Sequence, residues 1–136
     1  MTQAVSTRID GTVLVVDDDL LLLRSIERVL RQRGLDVVVQ HRSFGVLNRL
    51  AEVRPDLMLL DVRMPGLDGT TLTSLVRNDP TLSSTRIVLH SAMPERELSD
   101  MALLCGADGY FAKSATMDGV AAAVIDWLAR WRRPKR

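Results

Sequence analysis

The sequence has little cysteine, little lysine and no long apolar run. Its 136 residues include a single cysteine, Cys105, which excludes a disulfide within the chain. Cys105 lies in a periodic apolar stretch, which favours a small buried hydrophobic side chain over a reactive thiol. No apolar run approaches the ~20 residues that a membrane span requires, and the first residues lack the basic and apolar parts of a signal peptide. These absences predict a cytoplasmic protein with no membrane partner.

The charge balance excludes few partners. Lys and Arg number 18 against 17 Asp and Glu, which gives a formal net charge of +1. The length suits one domain with its own core. We predict a flexible lead-in over 1–10, a domain over 11–131 and a basic tail over 132–136. Cations at the end of a helix suit its dipole, so the tail gives little reason to expect nucleic acid as a partner.

Apolar runs alternate with helical patterns five times along the chain. Repeated βα units predict a parallel sheet with right-handed crossovers. Five units fit a flavodoxin-like, doubly wound α/β fold with five helices and strand order 2-1-3-4-5. The predicted strands β1 to β5 are 12–17, 35–40, 57–61, 86–90 and 108–112, and the predicted helices α1 to α5 are 20–33, 44–53, 70–78, 95–104 and 117–131.

Two of these helices carry apolar residues at helical spacing, and in α5 we interpret the stripe as a core-facing surface. In α5 the stripe ends in two tryptophans, and the last of them leaves a partner interface open as an alternative. The stripe of α5 is Val120, Val124, Trp127 and Trp131, and that of α1 is Leu20, Leu23, Ile26, Val29 and Leu30.

Polar side chains suited to phosphoryl chemistry follow or end four predicted strands. Asp17 and Asp18 come at the end of β1, Asp61 ends β3, Ser91 follows β4 and Lys113 follows β5. In open α/β sheets, ligands bind outside the carboxyl ends of the strands. We therefore expect three carboxylates, one hydroxyl and one ammonium group on the same rim of the sheet.

The three carboxylates predict a metal site. Each pair at about 4 Å repels by roughly 4 kcal/mol at an effective dielectric constant near 20. Mg²⁺ prefers oxygen ligands, commonly bridges to phosphate, and would remove this repulsion. Helix capping accounts for one aspartate among 17–19, but it does not explain Asp61 on another strand.

Ser91 and Lys113 complete a set of contacts for a phosphoryl group. Such a group on Asp61 would carry about −2 charge and three acceptor oxygens. Mg²⁺, the lysine and the hydroxyl each suit one of these oxygens. The chain has only two lysines against sixteen arginines, so the presence of a lysine at this strand end favours a specific role for it.

In this order and at these spacings, the motifs resemble the receiver domain of bacterial two-component response regulators. The resemblance covers about residues 12–131. It is carried by four segments, namely 13–19, 55–69, 87–92 and 106–113.

The resemblance implies a role for each residue at the acidic rim. Asp61 would be the phosphoacceptor, taking a phosphoryl group from the phosphohistidine of a sensor histidine kinase or a phosphotransfer protein. Asp18, Asp61 and the backbone carbonyl of Arg63 would bind Mg²⁺, with Asp17 acting through water. The domain would catalyse only its own phosphorylation and dephosphorylation, and in that sense would not be an enzyme.

The resemblance also implies a switch and an output surface. Ser91 would be the hydroxyl that moves toward the phosphoryl group, Tyr110 the aromatic that changes rotamer, and Lys113 the phosphate-binding cation. Output would pass in trans through the face formed by α4, β5 and α5, and phosphorylation could bring about a homodimer. Ser114 departs from the family pattern, where proline usually follows the lysine, and we expect a trans peptide between Lys113 and Ser114.

Two other functions remain open from the sequence. Haloacid dehalogenase-like phosphatases also use a strand-end aspartate, a hydroxyl, a lysine and Mg²⁺, and residues 17–19 mimic their Asp-x-Asp motif. Against this, Leu21 stands where their threonine is expected, and the chain is short for a core with a cap. The second alternative is a binding module that keeps the receiver fold without being phosphorylated.

Overall fold

The computed structural model describes residues 10–113 and 115–131. Five parallel strands form one sheet in the order β2-β1-β3-β4-β5, which confirms the predicted fold class and topology. No helix in the described part of the chain is both long and apolar enough to cross a membrane. The strands are Thr12–Val16, Asp36–Gln40, Leu57–Asp61, Ile87–Ser91 and Gly109–Ala112, and the helices are Leu20–Gln32, Val46–Val53, Gly69–Asn78, Glu95–Cys105 and Met117–Trp131.

Three predictions fall wholly or partly outside the described residues. They concern the lead-in, of which residues 1–9 are not described, the tail over 132–136, and the peptide before Ser114.

The sheet is covered on both faces, and each face has its own apolar cluster. β1 sends Leu14 and Val16 to one face and Val13 and Val15 to the other, because successive side chains of a strand point in opposite directions. Helices α2, α3 and α4 pack on the first face, and α1 and α5 on the second. Central strands buried on both faces explain why the sequence shows continuous apolar runs instead of alternation.

The apolar stripe of α1 is buried except at its first member. Leu20 shares the helical spacing of the other four but is 52% exposed. It directly follows the N-cap Asp19, whose carboxylate accepts hydrogen bonds from the backbone N–H groups of Leu21 and Leu22. Periodicity shows which residues share a helix face, but it does not show whether anything packs opposite the first turn. The buried members are Leu23, Ile26, Val29 and Leu30.

Helix α5 packs on β5 through its tryptophans. The ring of Trp127 lies 5.7 Å from that of Phe111 and 6.2 Å from that of Trp131, measured between centroids. A Cβ at Gly109 would lie 3.1 Å from the Trp127 ring, so glycine allows this close approach. Both tryptophans are partly buried against the core, as the core interpretation predicted. A fourth ring extends the series at 4.4 Å from Phe111, and we call the whole series the aromatic stack: His90, Phe111, Trp127 and Trp131.

Helix α2 begins two residues later than predicted. The preceding loop, 41–45, is held by Gln40, whose Nε2 donates to the carbonyl oxygens of Arg42 at 3.0 Å and Phe44 at 2.9 Å. Gly45 then adopts φ +85°, a left-handed conformation that favours glycine. Phe44 therefore lies in a loop, and its side chain is 91% exposed.

Arg77 joins three segments at the edge of the sheet where β4 and β5 begin, opposite the edge formed by the carboxyl ends of the strands. Its guanidinium donates to the carbonyl oxygens of Thr85 at 2.7 Å and Gly106 at 2.8 Å. It also contacts the carboxylate of Asp108 at 2.7 Å. These bonds tie α3 to the start of β4 and to the turn between α4 and β5.

Gly69 is where α3 meets the end of β3. Its N–H donates to the carbonyl of Val62 at 2.7 Å. A Cβ at this position would collide with the carbonyl oxygen of Asp61 and lie 3.0 Å from Val62 Cα. The backbone of Asp61 is thus set by a contact that only glycine allows.

We expect Gly69→Ala to lower the free energy of unfolding by about 1–3 kcal/mol, the usual cost of overpacking. Because relief of the collision moves the end of β3, it should also slow labelling of Asp61, the phosphoacceptor that the resemblance implies. Urea denaturation and intact-mass labelling with acetyl phosphate measure the two effects. Ser74→Ala, on the exposed side of the same helix, is the control. Parent-like values for the Gly69 variant would contradict the packing argument.

Candidate functional site

A cavity of about 480 Å³ opens at the carboxyl ends of the strands. It lies where β1, β3, β4 and β5 end, because parallel strands present these ends on one edge of the sheet. Its lining residues are Asp18, Asp19, Asp61, Arg63, Ser91, Ala92, Met93, Pro94 and Lys113.

Three carboxylates meet at this cavity, as predicted, and we call them the acidic triad. Asp17, Asp18 and Asp61 each offer an oxygen, and these atoms lie within 4.8 Å of one another. Asp17 and Asp61 are buried, whereas Asp18 is exposed. The backbone fixes Asp17, since its N–H donates to the carbonyl of Gln40 at 3.1 Å. Because Asp19 caps α1, the capping interpretation leaves the acidic triad unexplained.

Lys113 bridges two members of the acidic triad. Its Nζ lies 3.0 Å from Asp17 Oδ2 and 3.2 Å from Asp61 Oδ1. Its backbone N–H donates to the carbonyl of Ser91 at 2.9 Å, which anchors the lysine beside the end of β4. Burial acts to lower the pKa of Lys113, but the contacts with both carboxylates outweigh it, and the pKa is raised. The lysine is therefore a permanent cation in the cavity.

Burial and the nearby charge of Asp17 disfavour the ionised form of Asp61. Burial raises its pKa from 3.8 to about 6, the charge of Asp17 adds to this, and Lys113 opposes it. With all groups ionised, the acidic triad and the lysine carry a net charge of −2, from three carboxylates and one ammonium. The buried Asp17 Oδ2 makes no hydrogen bond among the described residues beyond its ion-pair contact with Lys113. A divalent cation with oxygen ligands fits this donor set and its charge.

We expect the metal-free protein to lose stability as pH rises through the titration of Asp61. Its pKa in the folded state, about 6, lies above the ordinary 3.8, so folding favours the protonated form. This preference contributes to the free energy of unfolding below pH 3.8, and the contribution is lost as pH passes about 6. Its size is roughly 1.4 kcal/mol for each unit by which the folded pKa exceeds the ordinary one. Urea denaturation in EDTA should show the parent falling relative to Asp61→Asn over this range.

Millimolar Mg²⁺ should remove this relative loss, because it stabilises the ionised form of the site. Parallel pH profiles for the parent and Asp61→Asn in EDTA would show that Asp61 is not perturbed as described.

The structure also places the other predicted residues. Ser91 is buried at the cavity wall, and its Oγ accepts a hydrogen bond from Met93 N–H at 3.2 Å. Arg63 lines the cavity and has an exposed side chain. Tyr110 lies outside the cavity lining, half-buried on β5 opposite Leu89. Six of the seven predicted site residues thus gather at the rim, and Tyr110 is one strand pairing away.

The sequence reasoning did not single out His90, which precedes Ser91 and is 2% exposed. Its Nε2 has no hydrogen-bond partner among the described residues. Burial lowers its pKa to about 3, with a further contribution from the charge of Lys113. The ring is therefore neutral near pH 7 and packs in the aromatic stack. From sequence, a histidine inside an apolar strand does not show that its ring is neutral and packed against aromatic side chains.

Comparison with known protein families gives a match over most of the chain. Residues 13–125 match the family model described as the response regulator receiver domain. The chain belongs to this family. The receiver domain has curated relatives and solved counterparts that agree with this assignment.

Protein PilG of Pseudomonas aeruginosa is 27% identical over 112 residues, which are 82% of this receiver domain and 83% of PilG. The DNA-binding response regulator MtrA of Mycobacterium tuberculosis is 37% identical over 101 residues, or 74% of this chain. The match spans 43% of MtrA, less than half of that protein. The structure of the Francisella response regulator 1452 receiver domain has a TM-score of 0.80 at 25% identity, covering 90% of this chain and 99% of that one.

Membership defines the general role of the chain. It is a phosphoacceptor module of two-component signalling, and such domains interact with histidine kinases or phosphotransfer proteins. Receiver domains typically bind Mg²⁺ at an acidic cluster, and this chain has such a cluster. The comparisons give no support to the phosphatase or to the module that is not phosphorylated.

Proposed function

We propose that Asp61 is the residue of this receiver domain that accepts the phosphoryl group from a phosphohistidine. The observation that carries the proposal is the bridge from Lys113 to Asp17 and Asp61. It places one fixed cation beside a buried carboxylate at the mouth of a cavity that also contains a hydroxyl.

The residues that would hold Mg²⁺ are the carboxylates of Asp18 and Asp61 and the backbone carbonyl of Arg63, with Asp17 acting through water. When bound, the ion supplies positive charge that favours ionised Asp61 and offsets the charge of the phosphoryl oxygens. The excess charge of −2 in the cavity supports this assignment.

The reaction is a transfer between two nucleophiles. A carboxylate oxygen of Asp61 forms a bond to phosphorus, the P–N bond of the phosphohistidine breaks, and the electron pair leaves with the imidazole. Lys113 is already 3.2 Å from Asp61 Oδ1, so it can contact a phosphoryl oxygen with little movement. Ser91 Oγ accepts from Met93 N–H, which leaves its own hydrogen free to donate to another phosphoryl oxygen.

Output is proposed to pass through the face formed by α4, β5 and α5. Tyr110 lies on β5, in the strand paired with the one that ends at Ser91, so a change at Ser91 can reach it through neighbouring strands. On α4, Leu103 is 82% exposed, which gives this face an apolar contact for a partner.

The test is to locate the phosphoryl group. The parent chain is incubated with Mg²⁺ and a phosphorylated sensor kinase fragment, trapped by borohydride reduction, and analysed by peptide mapping. Modification of Asp61 alone is expected, because it is the carboxylate that both contacts Lys113 and lines the cavity together with Ser91. Modification at another aspartate would overturn the assignment.

A further inference from the structure

A second concave surface adjoins the phosphorylation cavity. It lies between the loop 41–45, which precedes α2, and residues 64–66, which precede α3, and has a volume of about 370 Å³. Asp18 lines both surfaces, so the two are continuous. We call this surface the Phe44 groove, and its lining includes Arg42, Ser43, Phe44, Met64 and Pro65.

Hydrogen bonds hold the walls of the Phe44 groove together. Gln40 Nε2 binds the carbonyl oxygens of Arg42 and Phe44 at 3.0 and 2.9 Å. Ser43 Oγ donates to the carbonyl of Pro65 at 3.3 Å, which joins the two loops, and Ser43 is buried. The groove is therefore formed in the free protein, and a partner would lose little freedom of these loops on binding.

The chemistry of the groove suits an apolar side chain next to an acidic one. Phe44, at 91%, is the most exposed large hydrophobic side chain in the described part of the chain. Met64 is 8% exposed and lines the groove beside it. Arg42 is exposed and has no salt-bridge partner among the described residues. Aromatic rings and arginines in such positions are common anchors of protein interfaces.

The position of the groove identifies the occupant. A protein that delivers a phosphoryl group to Asp61 must cover the mouth of the cavity, and Asp18 joins that mouth to the groove. A small donor such as acetyl phosphate can enter the cavity without touching Phe44. We propose that the Phe44 groove binds an apolar side chain of the phosphodonor protein, with a carboxylate of that protein on Arg42; this inference rests on the proposed function.

The test compares a protein donor with a small donor. The protein donor is the autophosphorylated cytoplasmic fragment of a sensor histidine kinase, chosen from a panel as the fastest on the parent chain. Phe44→Ala should lower kcat/KM for this donor by at least about tenfold, mainly through KM. Arg42→Glu should lower it as well, and Phe44→Leu, which keeps an apolar side chain, should retain most of it. Labelling of all three variants by acetyl phosphate should equal that of the parent.

Leu75→Ala is the matched control, since it removes another exposed apolar side chain, on α3 and outside both the groove and the proposed output face. An unchanged kcat/KM for Phe44→Ala with the kinase fragment overturns the inference while leaving the proposed function intact. A parent chain that is not labelled at Asp61 by either donor instead overturns the proposed function. The beryllofluoride complex, which mimics the phosphorylated protein, is also tested for dimer formation. If the parent complex dimerises, the Phe44→Ala complex does not, and kcat/KM is unchanged, the groove binds a second copy of this chain and not the phosphodonor.

Discussion

Asp61→Asn is expected to lose all labelling by acetyl phosphate, whereas the parent chain in Mg²⁺ gains the mass of one phosphoryl group. The amide is nearly isosteric with the carboxylate but is not a nucleophile toward phosphorus. The substitution also removes one charge from a cavity whose net charge is −2 with all groups ionised, so the variant should be at least as stable as the parent without metal. Loss of labelling can then be assigned to chemistry. Intact-mass spectrometry over a time course gives the measurement.

Two controls sharpen this experiment. Asp100→Asn makes the same chemical change at an exposed position on α4 and should leave labelling unchanged. The parent in EDTA should lose labelling, because without a cation the cavity retains its negative charge and Asp61 its raised pKa. Labelling of the Asn variant, or undiminished labelling of the parent in EDTA, is the result that would disprove the site.

Lys113→Met is expected to have the next largest effect, because it should lower both the stability of the protein and its rate of labelling. In EDTA near neutral pH it should lower the free energy of unfolding by about 3 kcal/mol, the usual cost of leaving a buried charge without its partner. Asp17 and Asp61 are 1% and 3% exposed, and in the described ranges, 10–113 and 115–131, no other cation pairs with them. The initial rate of labelling should also fall by at least about tenfold, because a phosphoryl oxygen loses a charge-assisted contact.

Lys113→Arg separates charge from geometry. It keeps the positive charge, so it should retain much of the stability, but its planar guanidinium does not reproduce a compact ammonium group and labelling should stay slow. Mg²⁺ should restore part of the stability of the Met variant without restoring its labelling rate. Denaturant titrations with and without metal, run beside the mass measurements, give both readings. A Met variant with parent-like stability in EDTA would show that the bridge contributes little.

The rim of the sheet could be predicted from sequence because one rule of topology determines it. Once 12–17 and 57–61 are identified as neighbouring parallel strands, their carboxyl ends must meet, and the acidic triad follows. The lysine was placed correctly on the rim for the same reason. Its bridge to Asp17 was not predicted, because the reach of a long side chain depends on packing that strand order does not give.

Other features left no sequence signal. Arg77 looks like any cation in the last turn of a helix, yet it binds carbonyl groups from segments distant in the chain. Phe44 fell within the predicted range of α2, 44–53, and the left-handed Gly45 and the Gln40 hydrogen bonds exclude it from that helix. Cys105 is half-buried instead of fully buried, since it lies at the end of α4 beside the groove toward α3. In each case the outcome depends on contacts in the folded chain that the pattern of residue types does not encode.

The aromatic stack has an optical consequence. Both tryptophans of the chain belong to it, so all of its indole emission arises from one place, the contact between α5 and β5. The guanidinium of Arg86 lies 5.2 Å from the outer indole ring, and the neutral imidazole of His90 closes the inner end of the stack. A single emission band of the unmodified protein therefore reports the docking of one helix on one strand, without an inserted dye.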